Sequence, residues 1–270
     1  GPAEGDAFTL SPLASPAGSA RFTCIPIRRN QVDGCPRPPV ATPWRRTGAE
    51  SSTPARRHPS TITPAPAGIR VPCSRNGDGF LSSIFIPAFA GTGAILACPD
   101  CPGGAWNNES SQQAILGLID HLVTTSGADR ERVSLAGYSA GGWGVWYLLR
   151  HAPLRFASCI VLAAPPVIDP VDAFDGNFSK THELLTGRLE EWIDGIPDIP
   201  LYIIHSQDDE LLPWESARMV YEALLQARTR AELHPIRGVG HFQGEGYIPA
   251  LADSSAWLVN TWKPSDRGKR

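Results

Sequence analysis

Short apolar runs alternate with amphipathic stretches from about residue 68 to the end of the chain. A short apolar run between turn residues predicts a buried strand, and apolar residues at helical spacing predict a helix. The predicted strands are Ile69–Cys73, Ala94–Cys98, Arg132–Ala136, Ser158–Leu162, Leu201–His205 and Ala231–Pro235. The predicted helices are Phe80–Ala90, Ser110–Thr125, Ala140–Arg150, Lys180–Ile193, Pro213–Ala227 and Ile248–Thr261. A turn is predicted at Asn76–Gly79.

The alternation of strands and helices indicates the α/β class. Because strands joined by crossover helices run parallel, we expect a mostly parallel central sheet with helices on both of its faces. Functional residues in such a sheet lie in the loops that follow the carboxyl ends of the strands.

The first 67 residues have a different composition, rich in proline, arginine and serine. Residues 1–75 contain ten arginines, no lysine and four acidic residues, a net charge of +6, whereas the whole chain has a charge of −3. Only Arg21–Ile27 resembles a strand. The sequence therefore predicts a mostly irregular N-terminal segment over 1–67 and a folded domain over 68–270.

The composition argues against several classes of partner. A net charge of −3 gives no basis for a nucleic-acid or anionic-membrane partner, and no run of 18 apolar residues predicts a membrane span. The N-terminus lacks the layout of a signal peptide, which leaves a cytoplasmic protein and a secreted, processed one as alternatives. The oligomeric state is left open.

Cysteines and the Asn76–Gly79 turn raise the question of metal binding. Cys98 and Cys101 form a C-x-x-C, but its partner pair for zinc is absent and prolines interrupt it, so packing at a strand end is the better interpretation. A calcium loop around Asn76 would place Phe85 where a bidentate glutamate is needed. The sequence predicts no metal and no organic cofactor.

The strongest chemical signal is the stretch from Gly137 to Gly142, which reads GYSAGG. It places a G-x-S-x-G between a predicted strand and a predicted helix, where small residues permit a tight turn that exposes the serine. Ser139 is the predicted nucleophile. A hydroxyl needs a base to take its proton and an acid to orient that base.

Two loops farther along the chain supply candidates for these roles. The predicted strand Leu201–His205 is followed by Asp208 and Asp209, and His241 lies in a glycine-bracketed loop before the last helix. The residue types place the acid at either aspartate.

Three blocks of sequence resemble the esterase, depolymerase and predicted-peptidase branch of the α/β-hydrolase superfamily, which includes feruloyl esterases, polyhydroxyalkanoate depolymerases and phospholipase/carboxylesterase relatives. The blocks are DRERVSLAGYSAGGWGVW (129–146), IPLYIIHSQDDELLPWESARMV (199–220) and GVGHF (238–242). The resemblance implies the α/β-hydrolase fold with a minimal cap and the chain order Ser139, acid, His241. It places the acid at Asp209 rather than Asp208, with Ser206 where the family pattern has glycine.

The oxyanion hole and the substrate contacts carry weaker signals. The backbone N–H of Ala140 is the first expected oxyanion donor, and the His-Gly loop that normally supplies the second is absent. Asn76 is the best-spaced substitute for it. Trp106, Tyr138 and Trp143 are candidates for the wall of a substrate pocket.

The sequence therefore predicts a serine hydrolase that cleaves small-molecule or polymeric carboxylic esters through an acyl-enzyme. Two alternatives are a peptidase with the same chemistry and a binding protein without catalytic activity on a hydrolase scaffold. Only a short insertion lies between Pro165 and Pro200, which favours esters over peptides. An intact serine, aspartate and histidine argue against a pure binding protein.

Overall fold

A computed structural model of the chain describes residues 8–13, 20–26, 68–70, 77–101, 105–166 and 188–262. Eight strands lie within these residues. They are β1 (Phe8–Leu13), β2 (Ala20–Pro26), β3 (Gly68–Arg70), β4 (Ile95–Pro99), β5 (Ser134–Tyr138), β6 (Ser158–Leu162), β7 (Leu201–Ser206) and β8 (Ala231–Ile236). They form one sheet in the order β1-β2-β4-β3-β5-β6-β7-β8.

The sheet is mostly parallel, as predicted. Strand β2 runs antiparallel to both β1 and β4, whereas every neighbouring pair from β4 to β8 is parallel. The carboxyl ends of β5, β7 and β8 consequently meet at one edge of the sheet. The loops after these three strands carry Ser139, Asp209 and His241.

The α-helices within the described residues flank the sheet. They are α1 (Gly77–Phe80), α2 (Ile86–Phe89), α3 (Glu109–Ser126), α4 (Ala140–His151), α5 (Leu189–Asp194), α6 (Trp214–Gln226) and α7 (Ile248–Thr261). A π-helical segment, Leu81–Phe85, joins α1 to α2, and the 3₁₀ turn Ala90–Thr92 follows α2. The predicted helix Phe80–Ala90 is therefore present, with a change of pitch near its start.

Two hydrophobic clusters occupy the two faces of the sheet. Cys159 and Val161 of β6 belong to one cluster, which also contains residues of α3, α4, α5 and α6. Ile160 and Leu162 belong to the other, with residues of Leu81–Phe89 and α7. Because successive side chains of a strand point to opposite faces, one fully buried strand supplies both clusters. Helices cover both faces of the sheet, as predicted.

Local hydrogen bonds explain where the predicted boundaries were wrong. Strand β5 begins at Ser134 rather than Arg132, because Arg130–Arg132 form a 3₁₀ turn that starts at Asp129, whose side chain accepts from the Glu131 N–H at 2.9 Å. The predicted turn Asn76–Gly79 is wrong over its last three residues, because α1 begins at Gly77, and Asn76 lies outside the described residues. Of the predicted helix Lys180–Ile193, the described part is helical from Leu189 onward as α5, and the residues before 188 lie outside the described residues.

The N-terminal segment contributes two strands to the sheet. Strand β2 overlaps the predicted strand Arg21–Ile27 and pairs with the whole length of β4, from Phe22 opposite Pro99 to Pro26 opposite Ile95. Strand β1, for which the sequence pattern gave no signal, pairs with β2. The division of the chain at residue 67 stays a prediction.

The cysteines of the C-x-x-C are not bonded to each other. Cys98 takes part in a disulfide, whereas Cys101 is a free thiol. Cys98 is buried in β4, at the predicted strand end. No helix in the described part of the chain is both long and apolar enough to cross a membrane.

Candidate active site

Ser139 lies at the sharp turn between β5 and α4. Its backbone has φ 51° and ψ −119°, a conformation that residues other than glycine rarely adopt. The Ser139 N–H donates to the carbonyl of Leu162 at 2.9 Å, and the Ser139 carbonyl accepts from the Gly142 N–H at 2.8 Å. Strain of this kind persists only where the surrounding structure holds it. The sharp turn places the Ser139 hydroxyl beyond the end of β5, where it is exposed to a substrate in this type of motif.

Two glycines of the motif are required by close packing. A Cβ atom on Gly137 would lie 2.2 Å from the carbonyl oxygen of Gly141, and one on Gly142 would lie 2.3 Å from Cβ of Ala164. Neither space admits a methyl group, since the first is closed by backbone and the second by a fixed side chain. The glycines therefore allow α4 to start directly over the end of β5.

Ser139, His241 and Asp209 form a chain of hydrogen bonds. Ser139 Oγ lies 2.8 Å from Nε2 of His241, and Nδ1 of His241 lies 2.9 Å from Oδ2 and 3.1 Å from Oδ1 of Asp209. A carboxylate only accepts, so it fixes the proton of a neutral imidazole on Nδ1. Nε2 is then free to accept the Ser139 hydroxyl proton.

Asp209 is buried and remains ionised. Burial by itself would raise the pKa of its carboxyl, but the hydrogen bond from His241 and that from the Leu212 N–H outweigh this effect and lower the pKa below its ordinary value. Oδ1 accepts from the backbone N–H groups of Leu211 at 3.0 Å and of Leu212 at 2.8 Å. The loop after β7 therefore holds a carboxylate in position against the imidazole.

Asp208 takes a different contact. Its Oδ2 accepts from the Gly238 N–H at 2.7 Å, and its side chain is exposed. Of the two adjacent aspartates, Asp209 thus contacts the imidazole, whereas Asp208 contacts the backbone of the loop that carries His241 (residues 237–243, the histidine loop).

His205 contacts the loop that follows β7 (residues 207–212, the acid loop). Its ring is buried, and Nε2 lies 2.8 Å from the carbonyl of Leu212 and 3.7 Å from Oδ2 of Asp209. Burial lowers the pKa of His205 below its ordinary value, so a neutral ring donates from Nε2 to Leu212. The sequence did not indicate this contact, because a histidine at the end of a predicted strand carries no pattern that marks its partner.

The aromatic candidates for substrate contact occupy three different environments. Trp106 is 2% exposed within a core cluster, so it offers almost no surface to a substrate. Tyr138 is partly buried, and its hydroxyl donates to the main-chain carbonyl of His241. Trp143 is half-buried and packs against the same cluster as Trp106.

Of the two candidate oxyanion donors, Ala140 lies within the described residues. Ala140 is the first residue of α4, where a backbone N–H has no acceptor within its own helix. Such a group beside the Ser139 hydroxyl is suited to bind a negative oxygen. Asn76 lies outside the described residues. Within the described part of the chain, no group of three histidine, cysteine or acidic side chains is placed to hold a metal ion.

Comparison with known proteins identifies the fold. The chain is similar to the S-formylglutathione hydrolase of Staphylococcus aureus, at 16% identity and a TM-score of 0.64 over 94% of this chain and 99% of the other. The chain has the α/β-hydrolase fold. It is also similar to a thermostable esterase, at 15% identity and a TM-score of 0.61 over 94% of this chain and 63% of the other. No family model and no curated protein matches the sequence.

This fold also occurs in a peptidase to which the chain is similar. The acylaminoacyl peptidase of Pyrococcus horikoshii matches at 13% identity and a TM-score of 0.61, over 98% of this chain and 43% of the other. The match therefore covers less than two thirds of the length of the thermostable esterase and of the length of this peptidase. At these identities, the α/β-hydrolase fold is the property shared with all three.

Proposed function

We propose that the chain is a serine hydrolase that cleaves carboxylic esters, with Ser139 as nucleophile, His241 as base and Asp209 as acid. The observation that carries the proposal is the hydrogen-bonded chain from Ser139 Oγ through His241 to Asp209, which starts at a strained turn. A serine alkoxide forms too rarely at neutral pH without such a base. A strained serine at the turn from a strand into a helix is the arrangement that presents the nucleophile in this fold.

Acylation would use each of these contacts. As Ser139 Oγ bonds to the carbonyl carbon of the ester, its proton passes to Nε2 of His241 and the carbonyl π electrons move to oxygen. The Ala140 N–H donates to that oxygen, and Asn76 is the proposed second donor. When the carbon–oxygen double bond reforms, the alcohol leaves with the proton from Nε2. An acyl group then remains on Ser139.

Deacylation repeats these steps with water. Nε2 of His241 takes a proton from water while the water oxygen bonds to the acyl carbon. The bond to Ser139 Oγ then breaks, Oγ recovers the proton from Nε2, and the carboxylic acid is released. Asp209 stays ionised throughout and stabilises the imidazolium formed in each half of the reaction.

Esters are favoured over peptides by the surroundings of the base. Phe242 follows His241 directly, is 80% exposed, and places its ring 5.2 Å from the imidazole in an edge contact. The exposed ring therefore forms an apolar border on one side of the imidazole. Such a border suits the alkyl or aryl part of an ester, whereas a peptide main chain requires donors and acceptors.

Two assays test the proposal together. Labelling with a fluorophosphonate probe, followed by peptide mapping, is expected to modify Ser139 stoichiometrically. A panel of p-nitrophenyl esters of increasing acyl length, run beside peptide p-nitroanilides, is expected to show turnover of esters and little of anilides. Turnover of the anilides at comparable rates would support the peptidase alternative. The absence of both labelling and turnover would support a binding protein.

A further inference from the structure

The loop that carries His241 contains one hydrogen-bonded turn, in which the Gly240 N–H donates to Gln243 Oε1 at 2.8 Å and the Gln243 N–H donates to the Gly240 carbonyl at 3.1 Å. It runs from Arg237 to Gln243, between β8 and the 3₁₀ turn Gly244–Tyr247, and contains two glycines. Gly238 has φ +71°, a conformation that favours glycine. Because glycines increase the conformational freedom of a loop, contacts with other elements add to this turn in fixing the position of the imidazole.

The acid loop supplies these contacts with four consecutive side chains. Gln207 Oε1 accepts from Nε of Arg237 at 2.6 Å, and Asp208 Oδ2 accepts from the Gly238 N–H at 2.7 Å. Asp209 binds Nδ1 of His241, as described above. Each residue from 207 to 209 therefore holds one group of the histidine loop.

Glu210, the fourth residue of the acid loop with such a contact, binds the main chain of His241. Its Oε2 accepts from the backbone N–H of His241 at 2.8 Å. A Cβ atom on Gly240 would lie 2.9 Å from this oxygen, so the glycine leaves room for the carboxylate to approach. A hydrogen bond from a backbone N–H to a carboxylate is stronger than one to a neutral acceptor.

Tyr138 binds the second polar group of the His241 main chain, its carbonyl. Its hydroxyl donates to the His241 carbonyl, and its ring stacks on the imidazole with centroids 5.9 Å apart. Burial, reinforced by the charges of Asp209 and Glu210, raises the pKa of Tyr138 to about 12, so the hydroxyl keeps its proton and remains a donor. The N–H and the C=O of His241 are thus both bound by side chains.

We propose that Glu210 is a positioning residue, which fixes the backbone of His241 so that Nε2 faces Ser139. The inference rests on the proposed serine-hydrolase function and adds a residue to its machinery. Glu210 is exposed, and its carboxylate binds the backbone N–H of His241 rather than the imidazole ring, so it acts through the His241 main chain. A displacement of about 1 Å at a reacting group is enough to cost up to about 100-fold in rate.

The test compares Glu210→Ala with Glu210→Gln in the whole 270-residue chain. Alanine removes the acceptor, whereas the glutamine amide oxygen can still accept from the His241 N–H. We expect Glu210→Ala to lower kcat for p-nitrophenyl butyrate by about tenfold, with KM changed by less than about twofold, and Glu210→Gln to stay within about threefold of wild type. Glu222→Ala is the matched control, since it removes an exposed carboxylate on α6 that pairs with Arg218.

Proton NMR gives a readout that does not depend on turnover. The Nδ1–H of His241, bound to Asp209, should give a far-downfield signal in wild type and in Glu210→Gln. Glu210→Ala should broaden this signal by faster exchange with water. Glu222→Ala should leave it unchanged.

The outcomes separate the two proposals. Ester turnover by wild type with an unaffected kcat in Glu210→Ala would overturn the positioning role and leave the proposed function standing. Equal losses of kcat in the alanine and glutamine variants would also overturn it, because the charge rather than the hydrogen bond would then matter. Wild type without hydrolase activity, but with the expected NMR changes, would refute the proposed function and support the positioning role.

Discussion

The carboxylate of Asp209 contacts Nδ1 of His241 with both of its oxygens, at 2.9 and 3.1 Å. The carboxylate of the neighbouring Asp208 instead accepts from the backbone N–H of Gly238, in the loop that carries His241. Asp209→Asn replaces an acceptor with a group that can donate to the imidazole and thereby favour the wrong tautomer. We expect this variant to lower kcat by about 10³- to 10⁴-fold.

The matched variant for this prediction is Asp208→Asn. Its amide oxygen can still accept from the Gly238 N–H, so we expect ester turnover within about threefold of wild type. Steady-state kinetics on one p-nitrophenyl ester measures both variants. A larger loss at Asp208 than at Asp209 would move the acid role by one residue.

His205 is expected to make stability, rather than activity, depend on pH. Burial lowers its pKa below the ordinary value of 6.5, so the folded state keeps the ring neutral where the unfolded chain binds a proton. The free energy of unfolding should therefore fall as the pH drops below about 6.5, toward the lowered pKa of the folded state. The nearby Asp209 carboxylate opposes this shift of the pKa without reversing it.

His205→Gln isolates the contribution of the ring. The glutamine amide can donate to the Leu212 carbonyl, so ester turnover should stay within about threefold of wild type. Urea unfolding at pH 7.5 and pH 5 should show a smaller loss of stability in the variant than in wild type. Equal losses in the two proteins would show that His205 does not titrate differently in the folded and unfolded states.

Gly142→Ala tests the packing of the serine turn. The new methyl carbon would lie 2.3 Å from Cβ of Ala164 and 3.3 Å from Cγ1 of Val161, so α4 must move away from β6. We expect a destabilisation of about 1–3 kcal/mol and a loss of ester turnover. The control is Gly117→Ala in α3, where an added Cβ meets nothing within 4 Å. That variant should stabilise the protein by about 0.5–1 kcal/mol, and urea unfolding measures both.

Phe242 is expected to contribute to substrate preference. Phe242→Ala removes the exposed ring beside His241 and should raise KM for butyrate and longer p-nitrophenyl esters by about threefold to tenfold, with a smaller effect on the acetate. The measurement is kcat and KM across acyl lengths. An equal change for every ester would show that Phe242 affects the imidazole rather than the bound acyl group.

Elements with strong local patterns could be predicted from the sequence. Strand β6 (Ser158–Leu162) and helix α7 (Ile248–Thr261) have the predicted bounds, because a continuous apolar run and a helical period define them locally. Strand β1 could not be predicted in this way. Its Phe8–Leu13 segment contains a proline, and its pairing with β2 depends on residues that follow it in the chain.

The same distinction applies to the candidate site. Ser139, Asp209 and His241 stand in motifs, so the sequence indicated all three. Glu210 did not stand out, because an exposed acid beside another acid is typical of a solvated loop. Its contact with the His241 N–H depends on the approach of two loops 31 residues apart in sequence. The hydrogen bond from the Tyr138 hydroxyl to the His241 carbonyl gave no sequence signal either, and a place for the Tyr138 ring in the wall of a substrate pocket stays a prediction.

The most direct test of the account is the turnover of p-nitrophenyl butyrate by Ser139→Ala, compared with wild type and with a Ser110→Ala control. Ser110 lies in the first turn of α3 and carries no role in the proposed chemistry. The account predicts a loss of at least about 10³-fold in kcat for Ser139→Ala, with an unchanged fold by circular dichroism and near-wild-type activity in the control. Turnover by Ser139→Ala within about tenfold of wild type would contradict the assignment of Ser139 as the nucleophile.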